Sequence, residues 1–206
     1  MMEPKDADQI ELEFLVEEFK ALRAEIILCL ERRVTVVSYG LAAIGVLTGA
    51  AVTSLNLNSE VPRYLAAGLI LTLMVPFASL YALRIWLSET HRVRRASHYV
   101  WGLELRAEGI VGRKVLRWEQ GIRAKGKPTE HFTEHYGWTV FFFTFIAGAS
   151  AAAGLICLLK SPVDREVLAY VVGGLIGLVV FVWFFAQWKR EADSLIETYN
   201  EPPAQQ

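Results

Sequence analysis

The stretch Val34-Thr35-Val36-Val37-Ser38-Tyr39-Gly40-Leu41-Ala42-Ala43-Ile44-Gly45-Val46-Leu47-Thr48-Gly49-Ala50-Ala51-Val52 contains no Asp, Glu, Lys or Arg, and the charge-free run continues to Ser59. Three further runs share that property: Tyr64–Leu83, Tyr136–Leu159 and Val167–Trp188. Each has about 20 residues or more, and at ~1.5 Å per residue that length crosses a hydrocarbon core of about 30 Å. None alternates with a period of two, and in lipid only helices and closed barrels satisfy every backbone group. A soluble core enclosing four helices that are apolar on all sides would need more chain than these 206 residues. The sequence therefore predicts an all-α polytopic membrane protein, with four transmembrane helices and helical cytoplasmic extensions.

The formal net charge of −1 hides a strong segregation. Of 21 Lys and Arg residues, 18 fall in residues 1–33, 84–135 and 189–206, and only Arg63, Lys160 and Arg165 lie in the other two connections. Positive charge is retained on the cytoplasmic side of a bacterial inner membrane, so both termini and the central region are expected inside. Residues 1–33 are too charged for a secretory signal, so the first span is expected to insert uncleaved. The predicted organisation is 1–33 cytoplasmic, 34–83 a first transmembrane hairpin, 84–135 a basic cytoplasmic region, 136–188 a second hairpin and 189–206 a cytoplasmic tail. The outer loops, Ser59–Arg63 and Lys160–Glu166, are too short to capture an external ligand. Cys29 and Cys157 are expected near opposite faces, too far apart for a disulfide.

The cytoplasmic segments carry their own pattern. Leu12, Leu15, Phe19, Leu22, Ile26 and Cys29 recur at alternating steps of three and four, a heptad-like stripe suited to another helix. Trp86, Val93, Val100 and Ala107 recur every seven residues, flanked by Glu89, Ala96 and Leu103. Trp188, Ala192, Leu195 and Tyr199 continue the fourth span until Pro202 and Pro203 stop it. Residues 1–33 carry five basic and nine acidic side chains, 84–135 eleven basic and six acidic, and 189–206 two basic and four acidic. Acidic terminal helices flanking a basic central one are complementary, with apolar stripes supplying most of the docking energy.

Within the spans the pattern is helix association without chemistry. Gly45 and Gly49 form one GxxxG step, Gly173 and Gly177 another, and Gly148 and Ala152 lie in the small-residue run Ala147–Gly154; such residues let backbones approach closely. These steps favour a homo-oligomer. Pro76 is expected to kink the second span. Thr48, Thr53, Thr72, Ser79, Thr144, Ser150 and Tyr170 either line a weakly polar path or bond back to their own helix, the default for Ser and Thr. No Asp, Glu, Lys, Arg or His occupies any span, which argues against a self-contained transporter or proton pump.

Enzymatic motifs are few. His131-Phe132-Thr133-Glu134-His135 fits H-x-x-E-H, in which two histidines hold zinc and a glutamate activates water. A third ligand is not evident, because membrane and tail follow. His91 and His98 share a face of the basic helix. No phosphate loop or nucleophile–base pair is signalled. No cofactor or metal is expected. Arg92, Arg94 and Arg95 beside His98, Tyr99 and Trp101 suit lipid headgroups or the acidic helices better than nucleic acid. Val115–Ile122, with Trp118 among basic residues, suits a short helix on the inner leaflet.

The segment Arg84-Ile85-Trp86-Leu87-Ser88-Glu89-Thr90, with Arg92, Arg94-Arg95-Ala96, Tyr99, Leu103-Glu104 and Leu116-Arg117-Trp118-Glu119, resembles a group of small, uncharacterised bacterial membrane proteins with four predicted spans. The likeness covers roughly residues 80–160. The architecture is also similar to small membrane effectors of anti-phage defence systems, in which cytoplasmic helices receive a cue and membrane helices alter permeability. That similarity transfers no residue roles. The expected function is a non-enzymatic, self-associating membrane effector controlled by a cytoplasmic protein partner, with Trp86, Glu89, Arg92, Arg95 and Trp118 forming the coupling surface. The alternatives are a membrane scaffold for a cytoplasmic complex, or a zinc hydrolase using His131, Glu134 and His135.

Overall fold

A computed structural model of the chain describes residues 4–56, 60–113 and 128–160 and positions 179, 182, 183, 186 and 190, with side chains at 8–56, 63–113, 136–160 and those five positions. The regular elements among them are all helical: α1 (Pro4–Leu55), α2 (Glu60–Leu69), a π-helical turn (Ile70–Met74), α3 (Val75–Val111) and α4 (Pro128–Lys160). Proline opens both α1 and α4, at positions where its missing N–H is no loss. Gly112 closes α3 at φ +68°, with its N–H donating to the Glu108 carbonyl at 2.9 Å. Only glycine adopts that left-handed geometry without steric cost.

Three helical stretches are long and apolar enough to cross a membrane: Asp8–Leu55, Arg63–Val111 and Tyr136–Lys160. The fourth apolar run, Val167–Trp188, including Gly173 and Gly177, lies outside the described residues except at isolated positions, as do the C-terminal extension and the stretch Val115–Ile122 with Trp118. Contacts separate the chain into two units. The described part of one falls in Met1–Arg33 and Leu87–His135, and that of the other in Val34–Trp86 and Tyr136–Glu191.

In the second unit, helices meet through glycines. A Cβ on Gly154 would lie 2.6 Å from the Thr72 amide nitrogen and 2.8 Å from the Gly68 carbonyl oxygen, and it would also strike the Thr72 hydroxyl. A Cβ on Gly68 would lie 2.5 Å from Leu158 Cγ. Gly68 and Gly154 are thus reciprocal notches at one crossing, with the Leu158 side chain covering Gly68. Gly40 makes a similar approach, where a Cβ would come 2.8 Å from that of Ala82. Phe143 and Leu83 fill the interior of this unit. Outward stand large apolar side chains, among them Tyr39, Val46, Phe77, Trp138 and Phe145. Small residues inside and large apolar ones outside are compatible with lipid as the solvent.

Pro76 marks the local departure from regular helix. Directly before it, the Val75 N–H donates to the Ile70 carbonyl, five residues back instead of four. The next nitrogen along the ladder belongs to Pro76, which has no proton to give the Leu71 or Thr72 carbonyl. The sequence predicts a kink here. The structure shows a π-helical turn at this place, which widens the helix by one residue just upstream of the missing donor.

Candidate functional site

The first unit is built on two facing stripes. On α1, Leu15 and Cys29 are buried while Leu12, Phe19, Leu22 and Ile26 are partly covered. On α3, Val93, Ala96, Val100 and Ala107 are buried. Two ion pairs fix how the helices run. Arg92 Nη2 lies 3.3 Å from Glu25 Oε1, and Arg106 Nε lies 2.9 Å from Glu11 Oε1. The inverted order makes α1 and α3 antiparallel in this unit. Glu11 and Glu25 are two heptads apart, as are Arg92 and Arg106, so both pairs occupy the same flanking position beside the apolar seam. The pairs are partly exposed, at 42% and 45% for Arg92 and Glu25. Each is therefore worth about 0–1 kcal/mol, and together they select register more than they add stability.

Around Arg92 the charges interlock. Its Nη1 reaches Glu89 Oε1 at 3.5 Å, so one guanidinium bridges a carboxylate on its own helix and one on α1. The Glu89 carboxylate raises Arg92 above the ordinary guanidinium value. Cys29 lies fully buried beside this group, and its thiol is held above the ordinary value by burial first and then by Glu89, to which the S–H donates. Arg33 is pulled down by burial and then by the charge of Arg94. Of the residues expected to form a coupling surface, Glu89 and Arg92 are brought together here with Glu25 and Cys29, while Arg95 is exposed. Trp86 belongs to the other unit, where it is buried with its ring 5.8 Å from that of Tyr136. Trp118 lies outside the described residues.

The seven-residue spacing of α3 extends further back than Trp86. Thr72 and Ser79 precede it at the same interval, and both are buried. Neither hydroxyl has a hydrogen-bond partner. Elsewhere in the apolar runs, hydroxyls donate to carbonyls of their own helix: Thr53 to Gly49 at 2.9 Å, Ser54 to Ala50 at 2.8 Å, Thr144 to Val140 at 2.7 Å and Ser150 to Ala147 at 3.0 Å. Thr72 and Ser79 thus depart from the default for such side chains, one in the widened turn and one just after Pro76. Thr90 and Glu104, both fully buried, stand four residues after Trp86 and Val100. The signal for them is adjacency to the stripe, which a reading restricted to apolar residues misses.

Gly45, Gly49 and Gly148 have no atom within 4 Å of where a Cβ would stand, and Gly45, Gly49, Gly148 and Ala152 are all exposed. Among the described residues, the close approaches use Gly40, Gly68 and Gly154 instead. The backbone of His131, Glu134 and His135 lies in α4, with their side chains outside the described residues. Among the described residues no group of His, Cys, Asp and Glu has the makings of a metal site. No family model, curated protein or solved structure matches this chain.

Proposed function

We propose that the protein is a non-enzymatic four-span inner-membrane protein of bacteria that self-associates and changes membrane permeability when a cytoplasmic protein engages its helical extensions. Both termini and the 84–135 region lie in the cytoplasm in this reading. The observation that carries it is continuity: α1 runs without interruption from a charged, heptad-patterned segment into an apolar one, and α3 runs from the end of an apolar run into such a charged segment. A helix of that kind does not absorb a displacement at one end; sliding α1 against α3 by a turn moves apolar segments with it. Self-association draws support from the exposed small-residue face of Gly45 and Gly49. A role in anti-phage defence rests on architectural similarity alone.

Liposome leakage tests the permeability step. Purified protein in dye-loaded vesicles is expected to release dye when its partner is added, and to stop doing so when Glu11→Arg and Glu25→Arg are introduced together. Retained dye in the presence of a bound partner would overturn this step and leave a scaffold role.

A further inference from the structure

The face of α1 turned away from α3 carries a second stripe. Ile10, Phe14, Glu17, Ala21, Ala24 and Leu28 follow steps of four and three, half a helical turn from the stripe of Leu12, Leu15, Phe19, Leu22, Ile26 and Cys29. All six are exposed, with Phe14 at 70% and Ile10 at 52%. The outer positions of a two-helix pair are ordinarily polar. Here two large apolar side chains stand a turn apart, followed by two alanines that let a neighbouring backbone come close.

The border of the stripe is acidic. Between Asp8 and Glu31 the chain has seven acidic and two basic side chains. Glu13, Glu17 and Glu18 surround Phe14, and of these Glu17 is paired with Lys20 at 2.7 Å. This charge selects the occupant. A second copy of the same face would set glutamates against glutamates, and an anionic leaflet would repel it. A helix with apolar residues at three- and four-residue steps and Lys or Arg on its flanks satisfies both the stripe and its border.

We infer that the Ile10–Leu28 face of α1 is a docking surface for a basic amphipathic helix of a partner protein. The inference deepens the reading above by giving its cytoplasmic input a chemistry, and it rests on that reading for the side of the membrane on which the partner is found.

The test uses the full-length protein in nanodiscs of zwitterionic lipid. The probe is a fluorescent 21-residue helical peptide with Leu at the seam positions and Lys on the flanks. Two controls accompany it, one with Glu flanks and one with the same composition scrambled. Fluorescence anisotropy is expected to show binding of the Lys-flanked helix alone, weakening with added salt and at least tenfold weaker for Phe14→Glu. Ala21→Leu, which fills the space above the alanines, is expected to weaken binding without altering α1–α3 pairing. Equal binding of the scrambled peptide, or binding indifferent to Phe14→Glu, would overturn the inference. So would a change in oligomeric mass on Phe14→Glu without peptide, because the face would then belong to a second copy. Peptide bound at this face without dye release from vesicles upholds the docking surface and removes the permeability reading.

Discussion

Glu25 and Arg92 meet across two antiparallel helices, and two heptads along each helix Glu11 and Arg106 meet in the same way. For each pair the residue numbers add to the same value, so a single register accounts for both. The same register sets Glu18 opposite Tyr99, midway between them.

Charge reversal tests that register. Glu11→Arg or Arg106→Glu alone is expected to lower stability by about 0.5–1 kcal/mol, through like charges facing each other, and the double reversal to recover most of it. Tyr99→Arg is expected to supply a third pair with Glu18 and raise stability by a few tenths of a kcal/mol, on the order of other exposed pairs. Thermal unfolding in detergent reads all four variants. Additive single effects with no recovery would remove the pairing.

At the crossing of Gly68 and Gly154, a methyl group meets backbone atoms that have nowhere to go. Gly154→Ala is expected to cost about 1–3 kcal/mol through forced separation of the helices, despite the gain in helix propensity that alanine brings. Gly45→Ala, with open space around it, is expected to leave monomer stability unchanged or slightly raised. Equal effects at the two positions would contradict this geometry.

The unpartnered hydroxyls make an unusual pair of predictions. Thr72→Val keeps the shape and removes a buried polar group without a partner, so it is expected to stabilise the protein by about 1 kcal/mol. Thr144→Val instead loses a bond to the Val140 carbonyl and is expected to destabilise slightly. Opposite signs in unfolding experiments are the diagnostic result.

Cys29 sets a pH dependence. Its folded-state pKa lies above the ordinary thiol value of 9.0, so the native state holds the proton more tightly than the unfolded chain. The stability this contributes is complete below about pH 9 and declines as pH rises through the folded-state value. Cys29→Ser is expected to flatten the denaturation midpoint between about pH 8 and 10.5. Glu89→Ala, which removes the acceptor of the thiol proton, is expected to make Cys29 ionise at lower pH and react faster with iodoacetamide.

Much of the helical architecture was legible because charge and apolarity are sharply divided along the chain. The stripe from Leu12 to Cys29 and the seven-residue spacing from Val93 to Ala107 name many of the apolar side chains covered in the first unit, though not the buried Thr90 and Glu104. The two-heptad interval shared by Glu11, Glu25, Arg92 and Arg106 was also present in the sequence, but intervals acquire meaning only once helix direction is known. Which glycines form crossings was not legible. Gly45 and Gly49 satisfy the spacing rule as well as any, yet Gly68 and Gly154 make the contact, because helix rotation, not spacing, decides which face turns inward. Pro76 announced a kink, but the π-helical turn just before it was not legible, because the widening depends on which carbonyl the Val75 N–H takes.

The π-helical turn at Ile70–Met74 has a consequence for how this segment tolerates change in length. Such a turn accommodates a surplus residue without altering the azimuth of the helix beyond it, whereas a residue removed from a regular helix rotates everything downstream by roughly 100°. Excising one residue of this turn other than Thr72 would therefore keep the faces of Gly68 and Trp86 in line, while the same excision in the regular helix after Pro76 would turn Trp86 away from Tyr136. The second span thus holds one residue of slack beside its proline, where a shortening leaves the helix faces on either side aligned.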